Sequence, residues 1–259
     1  MDKIDGKEIA EIIYARINSN IKHGLKLVVV MMGDNPSTES FVAQKKKVAL
    51  RTGVGFEILR LPEDTSTSEV ENVVQQASKD PLITAIVVQL PLPAKINRER
   101  VLLAIAPEKD ADSLNGGSLL APAVGTVTEI INSLGKDVKS LNFTVIGYGQ
   151  LVGKPVYEFL LKKAKSVSLL RRGDNLVDGI KGADVIVTGT GSPNLIKTDM
   201  IHEGAIVIDF GYGFTGDGKL RGDFDSEGLT KQIYYTPTPG GTGPILVAKL
   251  FENVYDLVE

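Results

Sequence analysis

Val145-Ile146-Gly147-Tyr148-Gly149-Gln150-Leu151-Val152-Gly153-Lys154-Pro155 is the stretch on which the fold turns. An apolar strand runs into closely spaced glycines and then into a helix, the order of a dinucleotide-binding βαβ unit. Gly147 and Gly149 let the backbone turn sharply and lie against a pyrophosphate, whose charge is favoured by the N–H groups at the helix N-terminus. Pro155 falls early in that helix, where its missing N–H costs no hydrogen bond. The spacing G-x-G-x-x-x-G is one residue longer than the usual fingerprint. Ser166-Val167-Ser168-Leu169-Leu170 forms the next strand and ends in Arg171-Arg172. A carboxylate there would bind the 2′-hydroxyl of an NAD ribose, whereas arginines suit the 2′-phosphate of NADP. No acid follows that strand before Asp174, which favours NADP; a solvated arginine pair is the alternative.

Working outward, strand-like and helix-like segments alternate along the whole chain. Upstream, Ile9, Ile12, Ile13, Ile17 and Ile21 have helical spacing and precede a strand at 25–31. A helix over 38–51 stops at Gly53, a C-terminal glycine. Strands follow at 56–61 and 83–90, with helices over 68–77 and 97–105. These segments predict an open α/β layer of three or four strands. Past a Gly- and Asn-containing loop at 113–123, a helix over 124–134 leads to the glycine turn. Further strands are expected at 183–188, 205–210 and 232–235, with a hairpin excursion over 211–223 and a last helix over 245–258. The expected architecture is α/β: two lobes over residues 1–120 and 121–243, with 244–259 packing back on the first. The second lobe is a Rossmann-like parallel sheet, and the ligand cleft is expected between the lobes at the strand C-termini.

Bulk composition narrows the function classes. The chain has 259 residues, 42% of them hydrophobic, enough for two cores of ordinary size. A net charge of −3 offers no basic surface for nucleic acid. The longest apolar runs, near 27–32 and 85–88, are strand-length, so no membrane span is expected. Met1-Asp2-Lys3-Ile4-Asp5-Gly6-Lys7 carries charge where a secretory leader is apolar, and a cytoplasmic protein is expected. With no cysteine and only His23 and His202 as histidines, thiolate chemistry and a cysteine or histidine metal site are set aside.

Several residues stand out chemically. On a helical wheel started at Phe41, Val48, Thr52, Ala49 and Val42 define an apolar stripe. Lys45 lands at about 40°, inside that stripe, whereas Lys46 and Lys47 point away. An ammonium on a packing face is paired, snorkelled or used in chemistry. Gln89-Leu90-Pro91-Leu92-Pro93 ends a strand, since the prolines forbid both helix and central strand. Gln89 therefore stands at the strand's C-terminal end, able to bond an amine or a ligand amide. In Lys109-Asp110-Ala111-Asp112, a carboxylate could take two parallel hydrogen bonds from an amino-pyrimidinone edge, or merely close a turn. Thr236-Pro237-Thr238-Pro239-Gly240-Gly241-Thr242-Gly243-Pro244 brings backbone N–H groups to the start of the last helix, or is a plain connector.

With these segments in hand, the chain resembles the bifunctional methylenetetrahydrofolate dehydrogenase/methenyltetrahydrofolate cyclohydrolases. The likeness rests on Asp5-Gly6-Lys7, Gly33-Asp34-Asn35-Pro36-Ser37 leading to Lys45-Lys46-Lys47, and Val88 to Pro93. It continues through Lys109 to Asp112, Val145 to Pro155, Gly204 to Asp209 and Pro237 to Pro244, nearly the whole chain. The resemblance implies NADP-dependent oxidation of 5,10-methylenetetrahydrofolate and hydrolysis of the methenyl product to 10-formyltetrahydrofolate. It implies Lys45 as the catalytic lysine, Gln89 as its contact and Asp112 as the acid that holds the pterin. Gly147, Tyr148, Gly149, Arg171, Arg172 and Tyr212 then meet the dinucleotide, and Phe41, Pro239, Gly240 and Gly241 line the substrate site. No metal is implied, the partners are tetrahydrofolate derivatives, and a homodimer is expected.

The chain departs from the family in places. Phe41 replaces a tyrosine, Asp112-Ser113 an Asp-Gly, and Gly147-Tyr148-Gly149 a Gly-Arg-Ser turn. A Pro-Cys-Thr-Pro run is reduced to Ala121-Pro122-Ala123-Val124, and Pro-Met-Thr becomes Pro244-Ile245-Leu246. Phe41 lacks a hydroxyl that could relay a proton in hydrolysis. A dehydrogenase with a weak or absent cyclohydrolase is therefore the alternative, and a non-catalytic NADP-binding regulator the third.

Overall fold

The computed structural model describes residues 2–258, the side chain of Ser37 excepted. The elements run β1 (Asp2–Lys3), α1 (Gly6–Ser19), β2 (Lys26–Met32), α2 (Pro36–Arg51), β3 (Gly55–Leu61), α3 (Thr67–Lys79), β4 (Ala85–Val88) and α4 (Arg98–Leu103). They continue with α5 (Pro122–Ser133), β5 (Asn142–Ile146), α6 (Gly153–Lys163), β6 (Ser166–Leu170), α7 (Leu176–Ile180) and β7 (Val185–Thr188). Last come β8 (Ile206–Asp209), β9 (Gly213–Phe214), β10 (Leu220–Arg221), β11 (Tyr234–Tyr235) and α8 (Thr242–Asp256). The chain divides into two compact units, residues 13–122 with 247–259, and residues 1–12 with 123–246.

The first unit is built on a three-stranded parallel sheet in the order β3-β2-β4. Leu27, Val28, Val29 and Val30 of the central strand are all fully buried. A strand covered on both faces needs apolar side chains at every position, so its sequence is a continuous run and not an alternation. Helix α3 starts at a capping box in which Ser66 and Glu69 satisfy each other's backbone N–H groups. Its Val70, Val74 and Ala77 pack on Val28, Val30, Ile86 and Val88. Each fully buried valine contributes about 1.5–3 kcal/mol relative to exposure.

The second unit carries a six-stranded sheet in the order β1-β11-β8-β7-β5-β6, with every pairing parallel. The order turns back at β5, whose neighbours β7 and β6 lie on its two sides. Such a reversal leaves a crevice at the strand C-termini, where α/β folds bind ligands. The glycine turn follows β5 at that point. β9 and β10 form the expected antiparallel hairpin.

Some local expectations change. Of the isoleucines spaced along α1, Ile9, Ile13 and Ile17 are buried, while Ile12 and Ile21 are exposed at 55% and 57%. The buried row has strict i, i+4 spacing; Ile12 lies off it by about 100°, and Ile21 follows the helix end. The strand expected over 83–90 is confined to Ala85–Val88. β1 and α7 were not anticipated, because two and five residues are too short to show a period.

Candidate active site

In the first unit Lys45 projects from α2 half-buried, while Lys46 and Lys47 are exposed. The stripe it interrupts is as expected: Val42, Ala49 and Thr52 are buried. Lys45 Nζ donates to Gln89 Oε1 at 2.7 Å. Gln89, buried one residue past β4, donates its Nε2 to the Leu90 carbonyl at 2.8 Å, which turns its oxygen toward the lysine. The chain leaves through a cis Leu90–Pro91 bond. Burial draws the Lys45 ammonium below its ordinary value, and the charge of Asp112 opposes that. Burial pushes Asp112 up to about 6, with Lys45 pulling it down and Asp110 adding to the rise. Phe41 stands half-buried one turn before Lys45 on α2.

Asp112 sits on a tightly held loop. The Asp110 backbone pairs in parallel with Ile86 of β4. Its Oδ2 accepts the N–H groups of Leu114 and Asn115, each at 2.7 Å. Asn253 of α8, buried, donates to the carbonyls of Ala111 at 2.8 Å and Leu120 at 2.9 Å. Ser113 is left-handed, φ 51°, and its Oγ donates to Leu119 O at 2.6 Å. The Asn253 clamp had no sequence signal, since an asparagine in a terminal helix looks like any surface polar residue.

In the second unit the glycine turn has φ 89° at Gly147, whose N–H bonds Leu170 O at 2.8 Å. A Cβ on Gly153 would lie 2.1 Å from Gly147 O, so helix α6 could not approach the turn with any other residue there. A Cβ on Gly149 would meet nothing within 4 Å, which leaves open space beside that backbone. A bare backbone at the start of a helix suits a pyrophosphate. Tyr148 donates its hydroxyl to Glu158 Oε1 at 3.0 Å, and the Arg171 guanidinium lies over its ring at 4.9 Å. Arg171 and Arg172 are both exposed. Tyr212 is exposed with its ring edge-to-face with Phe214 at 6.1 Å.

The Pro-Gly loop is locked from beneath. Thr238–Pro239 is cis, Pro239 is exposed, Gly240 has φ 100°, and Gly241 N–H bonds Pro237 O at 2.8 Å. Gly6 fits against it: its N–H bonds Gly240 O at 3.1 Å, and a Cβ there would stand 1.6 Å from Gly241 O. Asp5 Oδ1 takes the N–H of Lys7 at 2.8 Å at the start of α1. Within the Asp5-Gly6-Lys7 signature, Gly6 is thus a packing requirement of the distant glycine pair, while Asp5 caps the start of α1.

Two buried acids of this unit escaped sequence reading. Asp209 accepts Gly211 N–H at 2.6 Å and Phe224 N–H at 2.8 Å, and burial pushes it up to about 7. Asp223 accepts Thr188 Oγ1, Thr190 N and Oγ1, and Ser192 N, between 2.6 and 3.0 Å. They brace the loops after β7 and β8. Among the described residues, no group of three or more metal-ligating side chains is placed to hold an ion, and no helix is long and apolar enough to cross a membrane.

A Rossmann-like sheet with an open glycine turn, carried on the same chain as a desolvated lysine–glutamine–acid cluster, defines a dinucleotide-dependent enzyme class. The family models agree in detail. The tetrahydrofolate dehydrogenase/cyclohydrolase catalytic domain matches residues 4–112, and the NAD(P)-binding domain of the same family matches residues 121–259. The chain belongs to this family. It is 35% identical to the bifunctional protein FolD of Lactobacillus delbrueckii subsp. bulgaricus, covering 98% of this chain and 96% of that protein. Among solved structures, it resembles the bifunctional FolD enzyme of Campylobacter jejuni with TM-score 0.92 and 28% identity, covering 98% and 96% of the two chains. The FolD enzyme of Trypanosoma brucei, solved with NADP cofactor and inhibitor, matches with TM-score 0.90 and 26% identity over the same shares.

Proposed function

We propose that this chain oxidises 5,10-methylenetetrahydrofolate with NADP to the methenyl compound and hydrolyses that product to 10-formyltetrahydrofolate. The observation that carries it is Lys45 on Gln89 at 2.7 Å, beside Asp112, with its ammonium destabilised by burial. Asp112, as carboxylate, takes the amino-pyrimidinone edge of the pterin in two parallel hydrogen bonds. The bound dinucleotide supplies the ring that receives the hydride. Nitrogen lone pairs beside the methylene carbon stabilise the developing cation, so this step asks the protein chiefly for orientation. Hydrolysis asks for more. Water adds to the methenyl carbon while Lys45, whose amine form burial and the cationic substrate favour, takes a proton from it at Nζ. As the carbon–N5 bond breaks, Lys45 returns that proton to N5 and the carbinol O–H proton passes to water, which leaves a formyl C=O on N10. Gln89 Oε1 holds Nζ in place through both transfers.

Gly147 and Gly149 would receive the pyrophosphate, with Tyr148 and Tyr212 beside it. Arg171, steadied on the Tyr148 ring, and Arg172 would meet the 2′-phosphate. The family likeness assigns Phe41, Pro239, Gly240 and Gly241 to folate binding. We assign residues 1–120 and the terminal helix to folate binding and catalysis, and 121–243 to the dinucleotide. On the family likeness the protein is a cytoplasmic homodimer that supplies formyl groups to purine synthesis. Phe41 supports a second reading, a dehydrogenase with a feeble hydrolase. The test follows NADPH and methenyl formation at two wavelengths with methylenetetrahydrofolate, then the decay of added methenyl substrate. NADPH without methenyl decay selects the second reading, and no NADPH refutes both.

A further inference from the structure

Asp110 has no role in the chemistry above, yet it is among the most buried charged residues described, 1% exposed. Its main chain is tied to Ile86 of β4, three residues before Gln89. Its Oδ2 takes the N–H groups of Leu114 and Asn115, and its carbonyl takes Ser113 N–H at 3.1 Å. Asn115 in turn donates to Ile105 O at 2.7 Å. Residues 111–115 are therefore wound around one carboxylate oxygen. The other oxygen, Oδ1, is buried without a hydrogen-bond partner. An asparagine could hold the same turn through its amide oxygen without burying a charge. Burial disfavours the Asp110 charge while the backbone N–H groups of Asn115, Leu114, Asp112 and Ser113 favour it, and Asp112 is the acid beside it.

We propose that Asp110 is a positioning residue: Oδ2 holds the turn that presents Asp112, and its buried charge acts on Asp112 in opposition to Lys45. The inference rests on the folate reading of Asp112. The charges that face Asp112 are Lys45 from α2 and Asp110 from its own loop. β4 leads to the neutral Gln89 and α8 presents the neutral Asn253; the Lys109 ammonium is engaged on Asp80 O at 2.5 Å. Burial chiefly, with the Asp110 charge added and Lys45 opposing, raises Asp112 to about 6, so the pterin-binding carboxylate is lost as pH falls through that value.

The two roles separate by substitution. Asp110→Asn keeps an acceptor for Leu114 and Asn115 but removes the charge. The acid limb of dehydrogenase kcat/KM for the folate should move to lower pH by roughly half to one pH unit. Asp110→Ala removes the anchor, and the folate KM should rise about tenfold or more with kcat less affected. Carboxyl-carbon NMR titration of Asp112 gives a readout independent of turnover, with a midpoint at about 6 that falls in Asp110→Asn. If Asp110→Ala does not fold, the asparagine variant alone decides. Should the wild-type protein lack dehydrogenase activity while the Asp112 midpoint still moves, the folate reading fails and the action of Asp110 on Asp112 stands. An unchanged midpoint and unchanged pH profile in Asp110→Asn overturn the proposal.

Discussion

Lys45, Gln89 and Asp112 are held in a desolvated cluster by a strand end, a wound loop and α8, whereas Gly147 and Gly149 offer a bare backbone turn flanked by exposed arginines. The first region stores its function in charges kept from water, so one atom out of place changes their proton affinities. The second stores it in backbone shape, and its charged side chains stay solvated until a phosphate arrives. Desolvated groups interact strongly and at short range; solvated ones weakly and subject to salt. Substitutions should therefore act steeply in the first region and by degrees in the second.

The largest effect is expected at Lys45. Lys45→Met keeps the length and apolar stem that the α2 stripe needs and removes the proton carrier. Cyclohydrolase activity should drop about 10²–10⁴-fold, the range for a lost acid–base group, with a smaller loss of hydride transfer. Phe41→Tyr is the reverse probe, raising hydrolysis and leaving hydride transfer nearly unchanged. Wild-type hydrolysis by Lys45→Met would reduce Lys45 to a snorkelling lysine.

In the dinucleotide region the double change Arg171→Ala with Arg172→Ala should weaken NADP by roughly tenfold to a hundredfold, about 1.5–3 kcal/mol, and spare NAD. Titration calorimetry at two salt concentrations checks this, because a solvated phosphate contact weakens as salt rises. Equal losses for both cofactors would remove the 2′-phosphate assignment.

Asp209 sharpens the contrast within the second unit, where an acid is desolvated without touching the open turn. Its folded value of about 7 exceeds the ordinary 3.8, so between those limits the folded state holds the extra proton. Stability is thus lost as pH rises from 3.8 to about 7 and levels off above it. Asp112 acts with the same sign only up to about 6. Urea unfolding at pH 6 and 8 should show wild type losing roughly 1 kcal/mol more than Asp209→Asn. Identical slopes would show that Asp209 is not strained by burial.

The smallest effect concerns Ser113. Ser113→Ala keeps the left-handed backbone and loses the bond to Leu119, costing about 1 kcal/mol. Ser113→Gly loses the same bond but relieves a comparable backbone penalty, so it should be nearly neutral. Equal thermal destabilisation by both would mean that the wound loop bears no strain at this residue.

Much of the fold was legible because its signals are local. The continuous apolar run of β2 announces a strand buried on both faces, and the wheel of α2 separates Lys45 from Lys46 and Lys47 without knowledge of any partner. The glycine spacing at 147–153 likewise follows from the close approach of one helix to its own preceding turn. What only the tertiary structure decided depends on distant partners. The two residues of β1 become a strand because β11 offers them backbone bonds, and Gly6 must be glycine because Gly241 lies against it. Asp110 looks like a turn acid in sequence and Asp209 like the end of a strand, yet burial gives each an altered proton affinity. Propensity and periodicity describe a residue's neighbours within a few positions, whereas desolvation depends on what the rest of the chain packs around it.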